Sequence, residues 1–294
     1  MTFTQLEVFA ALARAGSFSR AAALLGITQS AVSHALRALE DELQVQLVRR
    51  EGIHSPLTDA GARLLQRAND ILQQKQALQQ EADAERGIAR GTLHVASFGA
   101  TSSLRLLPML VAEYRRRQPA VQVRIDEQND DTVVKWLLER RVEIGFVVLP
   151  DERFDTIPLI EDELVALLPA GHRLAGQRSI RAADLQDEPF IRTSAGSGAQ
   201  IDRFLAGAST QPATIYHFEQ MSSMQGFVAL GHACAIAARL AVPEPPPEGI
   251  VYRSLSPRQR RVTGLAVRSL QRLSPAAAGF VALAREMARK KQFG

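Results

Sequence analysis

Residues 16–40 read GSFSRAAALLGITQSAVSHALRALE, and this stretch decides the fold. It reads as two short helices joined by a tight turn. Ser17 or Ser19 can cap a first helix through residues 21–25, and Gly26 ends it, where a left-handed residue favours glycine. Thr28 stands where an N-cap hydroxyl would satisfy the first N–H groups of the second helix. Beyond it, Ala31, Val32, Ala35, Leu36 and Leu39 recur at helical spacing and predict a buried stripe. The complementary stripe is Gln29, Ser30, Ser33, His34 and Arg37. Gln can pair with adenine, Arg with guanine, and Ser with bases or phosphates, so this face suits a helix that enters a DNA groove. An earlier helix over residues 3–13 places Leu6, Phe9, Ala10 and Ala13 on one side. A helical hairpin with a merely solvated polar face would share this pattern.

The next residues favour DNA. Residues 49–58, RREGIHSPLT, read as a strand, a turn at Gly52 and a second strand. A β-hairpin just after a recognition helix is a wing, with Arg50 and His54 as its phosphate or minor-groove contacts. Pro56 is tolerated on an edge strand. Ser19 and Arg20, ahead of the first helix of the pair, complete the expected DNA-facing set.

Residues 1–61 resemble the winged helix-turn-helix of the LysR-type transcriptional regulators. The runs that carry the resemblance are QLEVFAALARAGSFSRAA, TQSAVSHALRALE and LTDAG, the last at residues 57–61. The likeness extends over the whole chain in length and organisation. The family often has Pro where Ser30 stands, Arg at His34, Gly at Gln44 and Phe at Val48. The first two departures lie on the reading face, so an operator sequence does not transfer from relatives. The last two lie at the wing approach and are expected to concern packing.

Bulk charge does not carry the DNA reading. The chain of 294 residues has a formal net charge of +4, but residues 1–90 contain ten Lys plus Arg and ten Asp plus Glu. Affinity must come from placement, with Arg20, Arg37, Arg49 and Arg50 on one side and Glu40, Asp41 and Glu42 elsewhere. No run of about 18 apolar residues could span a membrane, and MTFTQLEVF lacks a signal-peptide layout, so a cytoplasmic protein is expected. The single cysteine, Cys234, lies in an apolar run and is expected to be a buried thiol; one cysteine excludes an intrachain disulfide. Nucleophile-elbow, phosphate-loop, zincin and dinucleotide motifs are missing, and the six histidines make no short-spaced ligand pairs. The expectation is therefore no enzyme, no cofactor and no metal.

Organisation follows from pattern. Residues 1–58 form the DNA-binding domain and residues 59–90 a linker helix. A seam of Gly61, Leu64, Ala68, Ile71, Lys75, Leu78 and Ala82 alternates by three and four. Leu64, Ala68, Ile71 and Leu78 are its dimer-forming members. Lys75 interrupts it, so pairing should be short or antiparallel, in a dimer or tetramer.

From Gly91 strands and helices alternate, with strands at residues 92–97, 121–127, 143–149, 164–168, 190–192, 214–218, 233–237 and 261–268. An α/β effector domain at residues 91–294 is expected, with lobe one at about 91–161 and 264–294 and lobe two at about 162–263. This two-lobed layout resembles the effector domain of the same family, which is similar to periplasmic binding proteins. Three loops of hydroxyls and glycines lie where strands meet helices, a place suited to anions. They give the expected effector contacts Ser97, Thr101, Ser102, Thr193, Ser194 and Met221. Few fixed cations lie there, so a small polar effector carrying one carboxylate or other anionic group is expected, or a largely neutral one. The favoured reading is a regulator whose binding to double-stranded DNA is modulated by that small molecule. A small-molecule-binding α/β protein with a helical protein-interaction module stays open as the alternative.

Overall fold

The computed structural model describes residues 1–49, 55–86, 90–193, 196–208 and 212–293. Arg50, His54 and Ser194, all expected to bind, lie outside the described residues. The chain clusters into two compact units: Met1–Gly91 with Leu138–Arg141, and the remainder from Thr92.

The first unit opens with α1 (Phe3–Ala15), α2 (Phe18–Leu25) and α3 (Gln29–Leu43). Thr2 and Gln5 form a capping box on α1, Ser17 rather than Ser19 caps α2, and Thr28 caps α3. Leu6, Phe9 and Leu12 of α1 bury against Ala21, Val32, Leu36, Leu39 and Leu47. Ala31, placed in the core stripe by spacing, is exposed, and Ala35 is half-buried. The first turn of α3 projects beyond the core, so its apolar stripe begins only at Val32. After α3 the chain forms an antiparallel bridge, Val48 to Leu57, and the Arg49 N–H donates to the Pro56 carbonyl at 2.8 Å. That is the base of the expected hairpin.

Helix α4 (Asp59–Glu85) follows at once. Thr58 accepts the Gly61 N–H at 2.9 Å and donates to the Gln46 carbonyl at 2.7 Å. A Cβ at Gly61 would sit 2.0 Å from the Leu47 carbonyl oxygen. The LTDAG run is thus a cap plus a close backbone approach. Gln44 closes α3 in the left-handed region at φ 53°. Its departure from glycine therefore concerns backbone conformation, which corrects the packing explanation for that position. Val48, by contrast, is buried in the core.

The second unit is one continuous mixed sheet in two halves. Lobe one holds β1 (Gly91–Ser97), β2 (Val121–Glu127) and β3 (Ile144–Leu149), covered by α5 (Leu107–Arg117), α6 (Asp130–Leu138) and α9 (Pro275–Arg289). Lobe two holds β5 (Ser179–Arg181), β6 (Phe190–Thr193), β7 (Thr214–Phe218), β8 (Cys234–Ala238) and β9 (Ile250–Ser256), with α7 (Gly198–Leu205) and α8 (Met221–Ala229). Two long strands, β4 (Asp155–Pro169) and β10 (Arg260–Val267), join the halves. The order is β2-β1-β3-β10-β4-β8-β6-β7. β4 pairs antiparallel with β10 through Glu163, then with β8 from Leu164. β1 lies parallel to β3, and β6 parallel to β7 and β8. Tyr114, Phe146 and Phe280 fill lobe one; Leu164, Phe190 and Ile236 fill lobe two.

Candidate functional site

Two surfaces carry polar groups in an arrangement that can recognise something. The first is the outer face of α3. Gln29, Ser30, His34 and Arg37 are exposed and Ser33 is half-buried, directly opposite buried Val32, Leu36 and Leu39. Ser19 and Arg20 are exposed at the front of α2, and the Ser19 hydroxyl donates to the Gln29 side-chain oxygen at 3.2 Å. The Arg20 Nε donates to Ser17 Oγ at 3.2 Å, which steadies that guanidinium beside the helix start. Glu40 faces inward and accepts the Leu47 N–H at 2.8 Å. The exposed face therefore presents donors and one guanidinium, with that carboxylate turned away.

Along α4, Ala68 is buried in the first unit's core beside Leu65, and Leu64 packs against that core. Ala68 is thus unavailable to a second chain, a correction to the expected seam. Ile71 and Leu78 remain 38% and 67% exposed. Lys75 pairs with Glu7 at 2.8 Å and lies over the Phe3 ring, so this interruption of the seam is a tie to α1. Asn69 and Gln73 donate to the Glu139 and Arg140 carbonyls, each at 2.7 Å.

The second surface is a cavity of about 320 Å³ in the second unit, between the two lobes. Thr101, Thr193 and Met221 line it. Ser97 and Ser102 do not: the Ser97 hydroxyl meets that of Ser103 at 2.8 Å, and Ser102 donates to the Phe98 carbonyl. Both hydroxyls hold the loop after β1 in shape. A π-helical turn, Thr101–Leu106, follows that loop, an irregularity common at functional sites. Arg192, beside the second loop, ion-pairs with Asp202 and is not among the lining residues.

Sequence reasoning missed the charged centre of this cavity. Arg261 of β10 is 5% exposed and lines the wall. Its guanidinium donates to Thr101 of lobe one at 2.7 Å, to Ser197 of lobe two at 2.8 Å, and to Asp162 of β4 at 3.2 Å. Burial pushes its pKa downward, and Asp162 and Asp130 oppose that shift. Asp162 also accepts the Leu240 N–H at 3.1 Å. Asp130 is pushed upward by burial, with Asp131 adding to the shift, while the Gly196 N–H counters it. Gly196 has φ +50°, and a Cβ there would meet the Phe98 ring at 2.2 Å, so only glycine lets the lobe-two loop close on lobe one. The one sequence signal for Arg261 was a charged residue opening an otherwise apolar strand.

The structure also brings together His172, Glu188 and Cys234, which lie far apart in sequence. The Leu174 N–H donates to His172 Nδ1 at 3.2 Å, which leaves the ring proton on Nε2. That nitrogen meets Glu188 at 2.9 Å and the Cys234 sulfur at 3.7 Å. A metal at Nε2 needs the opposite tautomer. Burial, then Glu188, pushes the thiol up to about 12.

A helix-turn-helix with an exposed polar recognition face, followed by a two-lobed α/β domain with a polar interlobe cavity, defines a ligand-responsive DNA-binding regulator. Residues 3–62 match the bacterial regulatory helix-turn-helix protein model of the lysR family, and residues 86–289 match the LysR substrate binding domain. The chain belongs to the LysR family of transcriptional regulators. It is 36% identical over 294 residues to the uncharacterized HTH-type transcriptional regulator YvbU of Bacillus subtilis, covering 98% of this chain and 99% of that one. It is 35% identical to the probable HTH-type transcriptional regulator LrrA of Synechococcus elongatus, covering 98% of each. Full-length CbnR complexed with its target DNA superposes with a TM-score of 0.62 at 25% identity, covering 98% of this chain and all of that one. The fold also matches a full-length OxyR variant from Pseudomonas aeruginosa, TM-score 0.72, 24% identical, covering 97% and 98% of the two chains. The protein is therefore a transcriptional regulator with a DNA-binding helix-turn-helix and an effector-binding domain. No described helix is long and apolar enough to cross a membrane.

Proposed function

We propose that α3 reads base edges in the major groove through Gln29, Ser30, Ser33, His34 and Arg37. Ser19, Arg20 and the wing residues Arg50 and His54 hold the phosphate backbone. The protein acts in the cytoplasm on double-stranded DNA as a homo-oligomer paired through the stretch of α4 that carries Ile71 and Leu78. A small polar effector carrying an anionic group occupies the cavity at Thr101, Thr193 and Met221, with Ser194 on the same loop. Differential affinity of that effector for two lobe arrangements is what shifts the regulator between states.

The observation that carries the DNA reading is the exposed stripe of Gln29, His34 and Arg37 directly over buried Val32, Leu36 and Leu39. CbnR, solved with its target DNA, supports placing the recognition helix in a groove. Arg37→Ala should weaken binding to the specific site by about 1–3 kcal/mol if it makes a paired guanine contact. Binding to random DNA of equal length should change far less. Equal losses on both, by gel shift at fixed salt, would show that Arg37 touches phosphate alone.

A further inference from the structure

We infer that the effector is a zwitterion of amino-acid size, its anionic end at the helix starts and its ammonium group between Glu127 and Glu219. This rests on the reading of the interlobe cavity as the effector site.

The anionic end follows from backbone. Three helical segments start on the cavity wall: the π-helical turn at Thr101, α7 at Gly198 and α8 at Met221. At none of the three does the N-cap residue make a side-chain bond to the helix. First-turn N–H groups and the hydroxyls of Thr101 and Thr193 are thus available on one wall, and helix starts favour negative charge.

The cationic end follows from charge balance. Arg261 is the one lining cation among the described residues, and Asp162 already neutralises it. The other charged lining residues are Glu127, at the end of β2 in lobe one, and Glu219, just after β7 in lobe two. A simple carboxylate would add a like charge to a cavity in which carboxylates are in excess. An ammonium group on the same ligand removes that repulsion and gives each glutamate a partner, one from each lobe. Size agrees, since about 320 Å³ is at the small end of ligand sites, which run about 300–1,000 Å³.

The test uses the full-length protein and melting shifts followed by the single tryptophan, with titration of every compound that raises the midpoint. The probes are the twenty L-amino acids and, for each, the carboxylic acid lacking the amino group. The expected result is that at least one amino acid stabilises the protein and its deaminated counterpart does not. Glu127→Gln with Glu219→Gln should then weaken that amino acid roughly tenfold or more, with circular dichroism unchanged. If no amino acid binds, or if the deaminated acid binds as well, the zwitterion is wrong. If the deaminated acid binds and Thr101→Val abolishes it, the cavity stands and only the ligand class falls. If bound amino acids are indifferent to Thr101→Val and to both glutamate changes, the cavity itself is not the site.

Discussion

Cys234 sits at the start of β8, 1% exposed, with His172 and Glu188 against it. Burial favours the neutral thiol, and the thiolate is the reactive species. With the pKa pushed up to about 12, the thiolate fraction between pH 7 and 9 is very small. Native protein should therefore resist a thiol reagent at pH 8, and reaction should follow unfolding in urea. Rapid labelling of folded protein would show that the thiol is open to solvent. The residue scale also shows what sequence could reach. Thr28 and Gly26 were legible because caps act within three residues, and Val32, Leu36 and Leu39 because burial follows a local period. Arg261 was not, because its partners Thr101, Asp162 and Ser197 lie 160, 99 and 64 residues away. Glu127 and Glu219 were hidden likewise, each at the end of a strand with nothing local to set it apart.

At the scale of elements, α4 divides its apolar residues between two tasks. Its first turns complete the helix-turn-helix core through Leu65 and Ala68, while Ile71 and Leu78 stay exposed farther along. Spacing alone merged these into one seam, because a heptad pattern does not say which partner covers which turn. Ile71→Glu with Leu78→Glu leaves the core intact. It should shift the protein to monomer in sedimentation and abolish binding to paired half-sites. An unchanged oligomer would move the interface off α4. Strand β4 was the other element read short: Pro158 and the charged run at residues 161–163 conceal a strand whose first half pairs with β10. Helices α5 and α9 are tied by Arg117, which bridges Glu113 at 2.7 Å and Glu286 at 2.7 Å. Hydrogen bonds from arginines, with Lys290 helping at Glu286, hold both carboxyls at about 2 against an ordinary 4.5. Folded values below unfolded ones mean that this stabilisation is full above about pH 4.5 and fades as pH falls toward 2. Arg117→Met should lower the melting temperature slightly at pH 7, as exposed pairs do. The difference from wild type should close on acidification through that window. A gap constant from pH 7 to pH 2 would mean that packing, not charge, was lost.

At the scale of the whole effector unit, β4 and β10 are the two strands that run between lobes, and the Arg261–Asp162 pair joins them in the interior. The guanidinium also reaches Thr101 on one lobe and Ser197 on the other, so one side chain is bonded to both lobes and both crossing strands. Desolvation makes such a pair a poor source of net stability, yet losing one partner strands the other charge in a low-dielectric interior. Arg261→Met should therefore destabilise the unit by about 3–5 kcal/mol. Trp136 of α6, the only tryptophan and a buried one, reports on that unit without signal from the helix-turn-helix. Adding Asp162→Asn removes the stranded charge and keeps an acceptor for the Leu240 N–H, which Asp162 takes at 3.1 Å. The double variant should regain most of the loss in urea unfolding followed by Trp136 fluorescence. Effector affinity should stay impaired, because Thr101 and Ser197 no longer share a donor. Equal losses in the single and double variants would mean that the bonds to Thr101 and Ser197, rather than the ion pair, hold the lobes in register.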